Sequence, residues 1–228
     1  MTPMLVAIAP NIWHTTHEFV TNGIRISSRM TVVRLNNGNL WLHSPVPIST
    51  ELKFQITTLG NVAFIVAPNK MHHLFALECM AVFPQARCFG APGLLAKRPD
   101  LLNMRELSPS AETDWQDDLD QIFFAGIPLG NETVWFHRSS RTLIVTDLLQ
   151  FYQGHLSFGA KVYAHLTGTR NHLAVPKILQ WMIKDRPAAR TSAQKILDWP
   201  FERVVVAHNS IIDTDAHSAV EKAFASFN

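Results

Sequence analysis

Cysteine is scarce: Cys79 and Cys88 are the two in a chain of 228 residues. They fall in an apolar helix-like run and an apolar strand-like run, without the paired spacing of a metal site. Both read as buried free thiols of a reducing compartment, with no chemical role. Runs of basic residues are also missing. Twenty Lys and Arg stand against 18 Asp and Glu, for a formal charge of +2, and the cations are scattered singly. With no positive stripe to follow phosphates, the pattern argues against nucleic acid as a partner. Long uncharged apolar stretches are absent as well. The opening MTPMLVAIAPNIW has no basic flank and too short an apolar run for a signal peptide, and Asp, Lys or Arg interrupts every later candidate for a membrane span. These absences lead us to expect a soluble cytoplasmic protein with no membrane partner. Neither a repeat, a low-complexity segment nor a linker breaks the chain, so a single domain over residues 1–228 is expected.

The 47% hydrophobic content is ordinary for a protein with a real core. In RMTVVRLNNGNLWLHSPV, two β-branched and apolar runs flank Asn36-Asn37-Gly38-Asn39, whose residues tolerate positive φ, which predicts a hairpin ending at His43. A helix follows from about Ser49, whose hydroxyl can cap it, to Leu59, with Gly60 as its stop. VAFIVAP reads as a strand buried on both faces, HHLFALECMAVFP as a helix up to Pro84, and ARCFGAPG as another strand. From about Lys97 to Trp115 the pattern weakens to loops and a short helix. A second hairpin joins ETVWFHR to RTLIVTD through Arg138-Ser139-Ser140-Arg141, after the strand DQIFFAGI. Beyond Asp147 come an irregular stretch, helical patterns near 174–185 and 189–198, the strand ERVVVAH, and an amphipathic helix from about Asp213. Two successive sets of strands and helices suggest an α/β fold of two packed sheets with helices outside.

Three strands end in residues able to bind a metal. FIVAPNKMHH leads to His72 and His73, TLIVTD to Asp147, and VVVAH to His208. Hydrophobic strands deliver their last side chains to one rim of a sheet, where three imidazoles and a carboxylate can converge as nitrogen and oxygen ligands. Each alone is an ordinary polar strand end; the set of four points to a shared site. His137, inside the second hairpin, reads as structural, and His14 and His17 read as solvated surface.

The order His72-His73, Asp147, His208 resembles a reduced metallo-beta-lactamase pattern, in which an HxHxDH motif opens the metal site. More closely, RMTVVRLNNGNLWLHSPV, VAPNKMHH, RSSRTLIVTDLL and FERVVVAHN are similar to a branch of that superfamily known as a domain of unknown function, and the resemblance covers nearly the whole chain. It implies a four-layer αββα sandwich. Laid over Pro68-Asn69-Lys70-Met71-His72-His73, the motif keeps its last histidine: His73 matches a second-site histidine and His72 stands in place of the aspartate. Asp147 matches the bridging carboxylate and His208 the C-terminal histidine. Pro68 and Lys70 occupy the two first-site histidine positions, and PLGNETV has no histidine where the third belongs. The resemblance thus implies a metal-dependent hydrolase with one mononuclear site of His72, His73, Asp147 and His208. Its cofactor is one divalent ion, zinc first, with iron or manganese as alternatives, or none. Asp147 or His72 would accept a proton from bound water. Lys70 could hold an anionic group, Asn69 could face the same crevice as a polar contact, and His43 could support a ligand from behind through a hydrogen bond. The substrate would be a small ester, amide, thioester or phosphate ester. The alternative is a non-catalytic descendant that binds a small ligand or a protein, with a redox role ranked last.

Overall fold

The computed structural model describes residues 4–21 and 23–227. The first sheet grows from local hairpins into crossovers. Its elements run β1 (Val6–Ala9), β2 (Ile12–Thr21), β3 (Ile24–Arg34), β4 (Asn39–His43), α1 (Thr50–Leu59), β5 (Asn61–Ala67), α2 (Ala76–Val82), β6 (Arg87–Gly90), α3 (Leu94–Lys97) and β7 (Met104–Glu106). The seven strands lie side by side in chain order, antiparallel from β1 to β4 and parallel from β4 to β7. The second half of the chain carries β8 (Leu119–Phe123), β9 (Thr133–His137), β10 (Thr142–Ile144), α4 (Phe158–Thr167), α5 (Lys177–Trp181), α6 (Arg186–Leu197), β11 (Arg203–Val205) and α7 (Ala216–Phe224). Its sheet has the order β11-β10-β9-β8, with β11 parallel to β10.

Side-chain alternation explains the layering, because successive strand residues point to opposite faces. Trp41, Phe64, Val66 and Phe89 of the first sheet meet Trp135 and Ile144 of the second in one buried cluster. Leu40, Leu42, Ile65 and Ala67, one step out of phase, pack under α1 and α2 with Leu52, Ile56 and Ala76. On the far side Val134, Phe136 and Leu143 pack against Ala193, Val220 and Phe224 of α6 and α7. The result is helices, sheet, sheet, helices, as the resemblance implied.

Local signals behave as their chemistry demands. Ser49 accepts a hydrogen bond from the Leu52 amide and opens α1. Gly60 ends it where a Cβ would fall 2.5 Å from the Gly38 carbonyl, so the β3–β4 turn and the end of α1 share a space only glycine leaves open. Three elements differ from expectation. His14 and His17 lie on β2, half-buried between strands: His14 Nδ1 accepts from Arg29 Nε at 3.3 Å, and His17 packs edge-on against Phe75. Burial and the Arg29 charge push His14 down to about 4, so it is not a solvated surface histidine. β7 emerges from the weak stretch, where three residues pair with β6. α4 emerges from the irregular stretch after Asp147, capped by Ser157 Oγ at the Ala160 amide. No helix among the described residues is long and apolar enough to cross a membrane.

Parallel pairing positions the site. β10 and β11 run side by side in register, Ile144 beside Val205, and Asp147 and His208 follow those residues by the same interval. The end of β5 reaches the same rim across the sandwich, since the Thr133 amide at the start of β9 donates to the Pro68 carbonyl.

Candidate metal centre

His72, Asp147 and His208 each offer a ligand atom, and these atoms lie within 4.8 Å of one another. His72 Nε2 is 3.3 Å from Asp147 Oδ1, and His208 Nε2 is 3.1 Å from the same oxygen. Each imidazole is oriented from behind. His208 Nδ1 lies 2.7 Å from the Ser27 carbonyl oxygen, which can only accept, so Nδ1 carries a proton. In the neutral ring this leaves the Nε2 lone pair facing the cluster, the arrangement a metal ligand needs. Tyr152 lies parallel to the same ring at 6.4 Å. His72 Nδ1 lies 2.8 Å from Ser44 Oγ. Ser44 adopts φ 56°, a left-handed conformation at the end of β4 that costs energy in a non-glycine residue.

The electrostatics are those of a tight, largely buried cluster. Burial acts against the Asp147 anion, but the charge of His72 and its hydrogen bond to the carboxylate hold that carboxyl well below the usual range. Burial likewise opposes a charged His72, and the Asp147 charge and hydrogen bond outweigh it, so its pKa is raised.

Asn69 is wholly buried and joins the loop after β5 to the Asp147 loop. Its Oδ1 accepts from the Met71 and His72 amides, both at 2.8 Å. Its Nδ2 lies 2.9 Å from both Thr146 Oγ1 and Asp147 Oδ2. Behind it stands Glu132, a buried carboxylate that accepts the amides of Thr146, Asp147 and Leu148 at 2.7, 2.8 and 2.9 Å. Burial, then the neighbouring Asp147 charge, push its pKa up against those hydrogen bonds.

Not all the sequence candidates converge. His73, expected as a fourth ligand, sits outside the cluster, where Arg98 Nη1 donates to its Nδ1 at 2.8 Å. That bond occupies the Nδ1 lone pair and leaves the proton on Nε2. Burial and the charges of Lys97 and Arg98 lower its pKa, and the same charges repel a metal ion. Lys70 does not line the cavity. Its ammonium lies over Gly93, where a Cβ would fall 3.2 Å away. His43 stacks on Trp41 at 5.3 Å, with a buried Nε2 that has no hydrogen-bond partner among the described residues. The support for His72 comes from Ser44, the next residue. Asn69 braces Asp147 from within the protein instead of facing the crevice.

Sequence reasoning missed Glu132, Ser27 and Arg29. Glu132 lies inside PLGNETV, a stretch read for the histidine it does not have. Arg29 is a buried cation with no carboxylate partner among the described residues. It donates to the Val206 carbonyl and, at 2.5 Å, to the Asn209 carbonyl, gripping the chain on both sides of His208. Burial lowers its pKa to about 10.

The cluster opens on a cavity of about 440 Å³. Its walls include Phe19, Ile26, Phe75, Leu179 and Met182, together with Gln150, Tyr152 and Tyr163.

Two sheets face to face between helices, with the donor residues at one rim of the strands, define a metallo-beta-lactamase fold. The metallo-beta-lactamase from Pontibacter korlensis superposes with a TM-score of 0.67 over 99% of each chain at 13% identity. One from Hirschia baltica gives 0.66 over 100% of this chain and 98% of that one, at 9% identity. The metal-soaked Flv1 flavodiiron core from Synechocystis sp. PCC6803 gives 0.67 over 99% of this chain and 60% of its own length, at 8% identity. No curated protein matches by sequence. Residues 10–156 match the family described as domain of unknown function (DUF4336), and the chain belongs to that family.

Proposed function

We propose that the chain is a metal-dependent hydrolase with a single-ion site at His72, Asp147 and His208, acting on a small-molecule ester, amide, thioester or phosphate ester. What carries this reading is the tautomer of His208: a carbonyl fixes the proton on Nδ1, which leaves Nε2 beside Asp147 Oδ1 and His72 Nε2 for a cation. Two imidazoles and one carboxylate suit zinc, with iron or manganese as alternatives, and three protein donors leave a coordination position open. A bound ion there supplies a water of near-neutral pKa and stabilises charge developing on a carbonyl or phosphoryl oxygen. The protein contributes the rest. Asn69 and Glu132 fix the Asp147 carboxylate, Ser27 and Ser44 aim the imidazoles, and the apolar walls exclude bulk water. Two unpaired buried thiols support a reducing, cytoplasmic setting.

A second reading is a non-catalytic descendant that binds a small ligand or a protein. Pro68 and Lys70 favour it, since neither gives a nitrogen donor at the positions where the fold's two-metal members carry histidines.

The test is elemental analysis of purified protein after zinc loading and dialysis, followed by ester, lactam and phosphodiester screens. One ion per chain and turnover that is lost in His208→Ala support the hydrolase. Bound metal with no turnover on any substrate favours the binding protein, and a native chain that takes up no metal overturns the site.

A further inference from the structure

The cavity beside the cluster carries information about what enters it. Its walls are mostly apolar, and beyond the three donors the polar side chains among its described lining are Thr21, Ser28, Gln150, Tyr152 and Tyr163. No Lys or Arg is among the described residues that line it, and Lys70, the cation nearest in sequence, is turned away over Gly93. Away from the three donors, an anionic group laid against these walls would lose its hydration without gaining a partner, which is unfavourable for an uncompensated buried charge. Substrates that carry a carboxylate or phosphate along these walls are therefore disfavoured, and an uncharged substrate body is favoured.

A second observation concerns the rim. Met71, Leu74, Leu129 and Ile178 line the same cavity, and each is more than half exposed, at 61, 53, 64 and 51%. Single exposed apolar residues are ordinary, but four around one mouth form a contiguous surface that gains from being covered. Inside, Phe19 on β2, Ile26 on β3, Phe75 before α2, and Leu179 and Met182 around α5 continue that surface towards His208. A volume of about 440 Å³ fits a small ligand, within the usual pocket range of about 300–1,000 Å³.

We propose that the substrate is an uncharged ester with an apolar acyl chain. Its carbonyl meets His72, Asp147 and His208, and its chain lies along Ile26, Phe75, Leu179 and Met182. This rests on the hydrolase reading above and narrows it to one of its substrate classes. In the reaction the oxygen of water adds to the acyl carbon, the acyl C–O bond breaks, and a proton of the water leaves with the alcohol, so one ester and one water give one acid and one alcohol. Specificity follows from burial: each added methylene of the chain gains free energy on leaving water until the cavity is full.

The experiment has two arms. In the first, zinc-loaded protein is given 4-nitrophenyl acetate, 4-nitrophenyl octanoate and 4-nitrophenyl phosphate. We expect kcat/KM for the octanoate to exceed that for the acetate by at least about tenfold, the gain expected from burying a few methylenes, with no turnover of the phosphate. In the second, N-phenyl-1-naphthylamine, an uncharged apolar fluorophore, is titrated into the native protein, His208→Ala and Leu179→Arg, with methyl octanoate as competitor. We expect saturable binding and displacement in the native protein and in His208→Ala, and loss of binding in Leu179→Arg. Ile26→Arg, on another element, replaces Leu179→Arg if that variant lacks a cooperative melt.

The arms separate the two claims. Absence of fluorophore binding, binding that survives both arginine variants, or acetate and phosphate turned over as well as octanoate overturns the apolar-ester inference and leaves the hydrolase standing. Fluorophore binding and methyl octanoate displacement without turnover of any ester overturn the hydrolase and keep the cavity's preference for an apolar chain.

Discussion

Ser27 and His208 stand 181 residues apart, and the backbone carbonyl of the first lies 2.7 Å from Nδ1 of the second. A residue of β3 with no chemistry of its own thereby decides which nitrogen of His208 faces Asp147. The chain around His208 is held in turn by Arg29, two residues further along the same strand, through the Val206 and Asn209 carbonyls. Arg29→Lys keeps the charge but not the fork that reaches both carbonyls. It should weaken zinc affinity by about 10- to 100-fold, the usual cost of losing an outer-shell partner. Competition with a chromophoric chelator measures this, and unchanged affinity would sink the idea.

His72 and His73 are neighbours with opposite fates. Removing His73 takes away a partner of Arg98 and no ligand, so His73→Ala should bind one zinc per chain like the native protein. His72→Ala should lose stoichiometric zinc, since it removes a donor of the cluster. Metal analysis after dialysis, with circular dichroism to confirm folding, decides between them; zinc lost equally from both variants would restore His73 as a ligand.

Glu132 accepts three consecutive backbone amides. Glu132→Gln keeps the size but turns an NH2 group towards donors it cannot satisfy. Leaving one such buried amide unpaired costs about 1–3 kcal/mol. Urea unfolding should show a midpoint lowered accordingly at constant slope. A midpoint within error of native would mean that the Asp147 loop holds its shape unaided.

His137 is fully buried between Ser140 Oγ at 2.7 Å and Ser139 Oγ at 3.2 Å, and burial pushes its pKa down to about 4. The unfolded chain takes up a proton near the ordinary value of 6.5, while the folded chain resists until about 4. Stability from this group is therefore full above about pH 6.5 and falls as the pH drops towards the folded value. Between pH 7 and about 4.5 the loss is on the order of 2–3 kcal/mol. His137→Gln, which does not titrate, should flatten the pH profile of urea stability by that amount; a profile as steep as native would assign the acid sensitivity to other groups.

Much of this molecule was legible in its sequence because the signals are local. Asn37-Gly38 turns the first hairpin, Ser49 and Gly60 bound α1, and the apolar run VAFIVAP becomes β5, since φ preferences, caps and burial patterns act over a few residues. β2 and α4 were hidden for a physical reason as well. IWHTTHEFVT mixes polar and apolar residues because the strand is only partly buried and part of its face lines a cavity instead of a core. Residue types and their order after strands also marked His72, Asp147 and His208 as candidates.

Sequence by itself determined which residues could donate to a metal, and that strands would carry them to a rim. Tertiary structure alone decided which of them meet. Two adjacent histidines leave a turn in different directions; Asn69 Oδ1 shapes that turn locally and its Nδ2 anchors it to the far loop, so His72 reaches Asp147 while His73 reaches Arg98. Hydrogen bonds made across 75 or more positions of chain leave no periodic trace, because each depends on where two sheets pack and not on the neighbours of either residue.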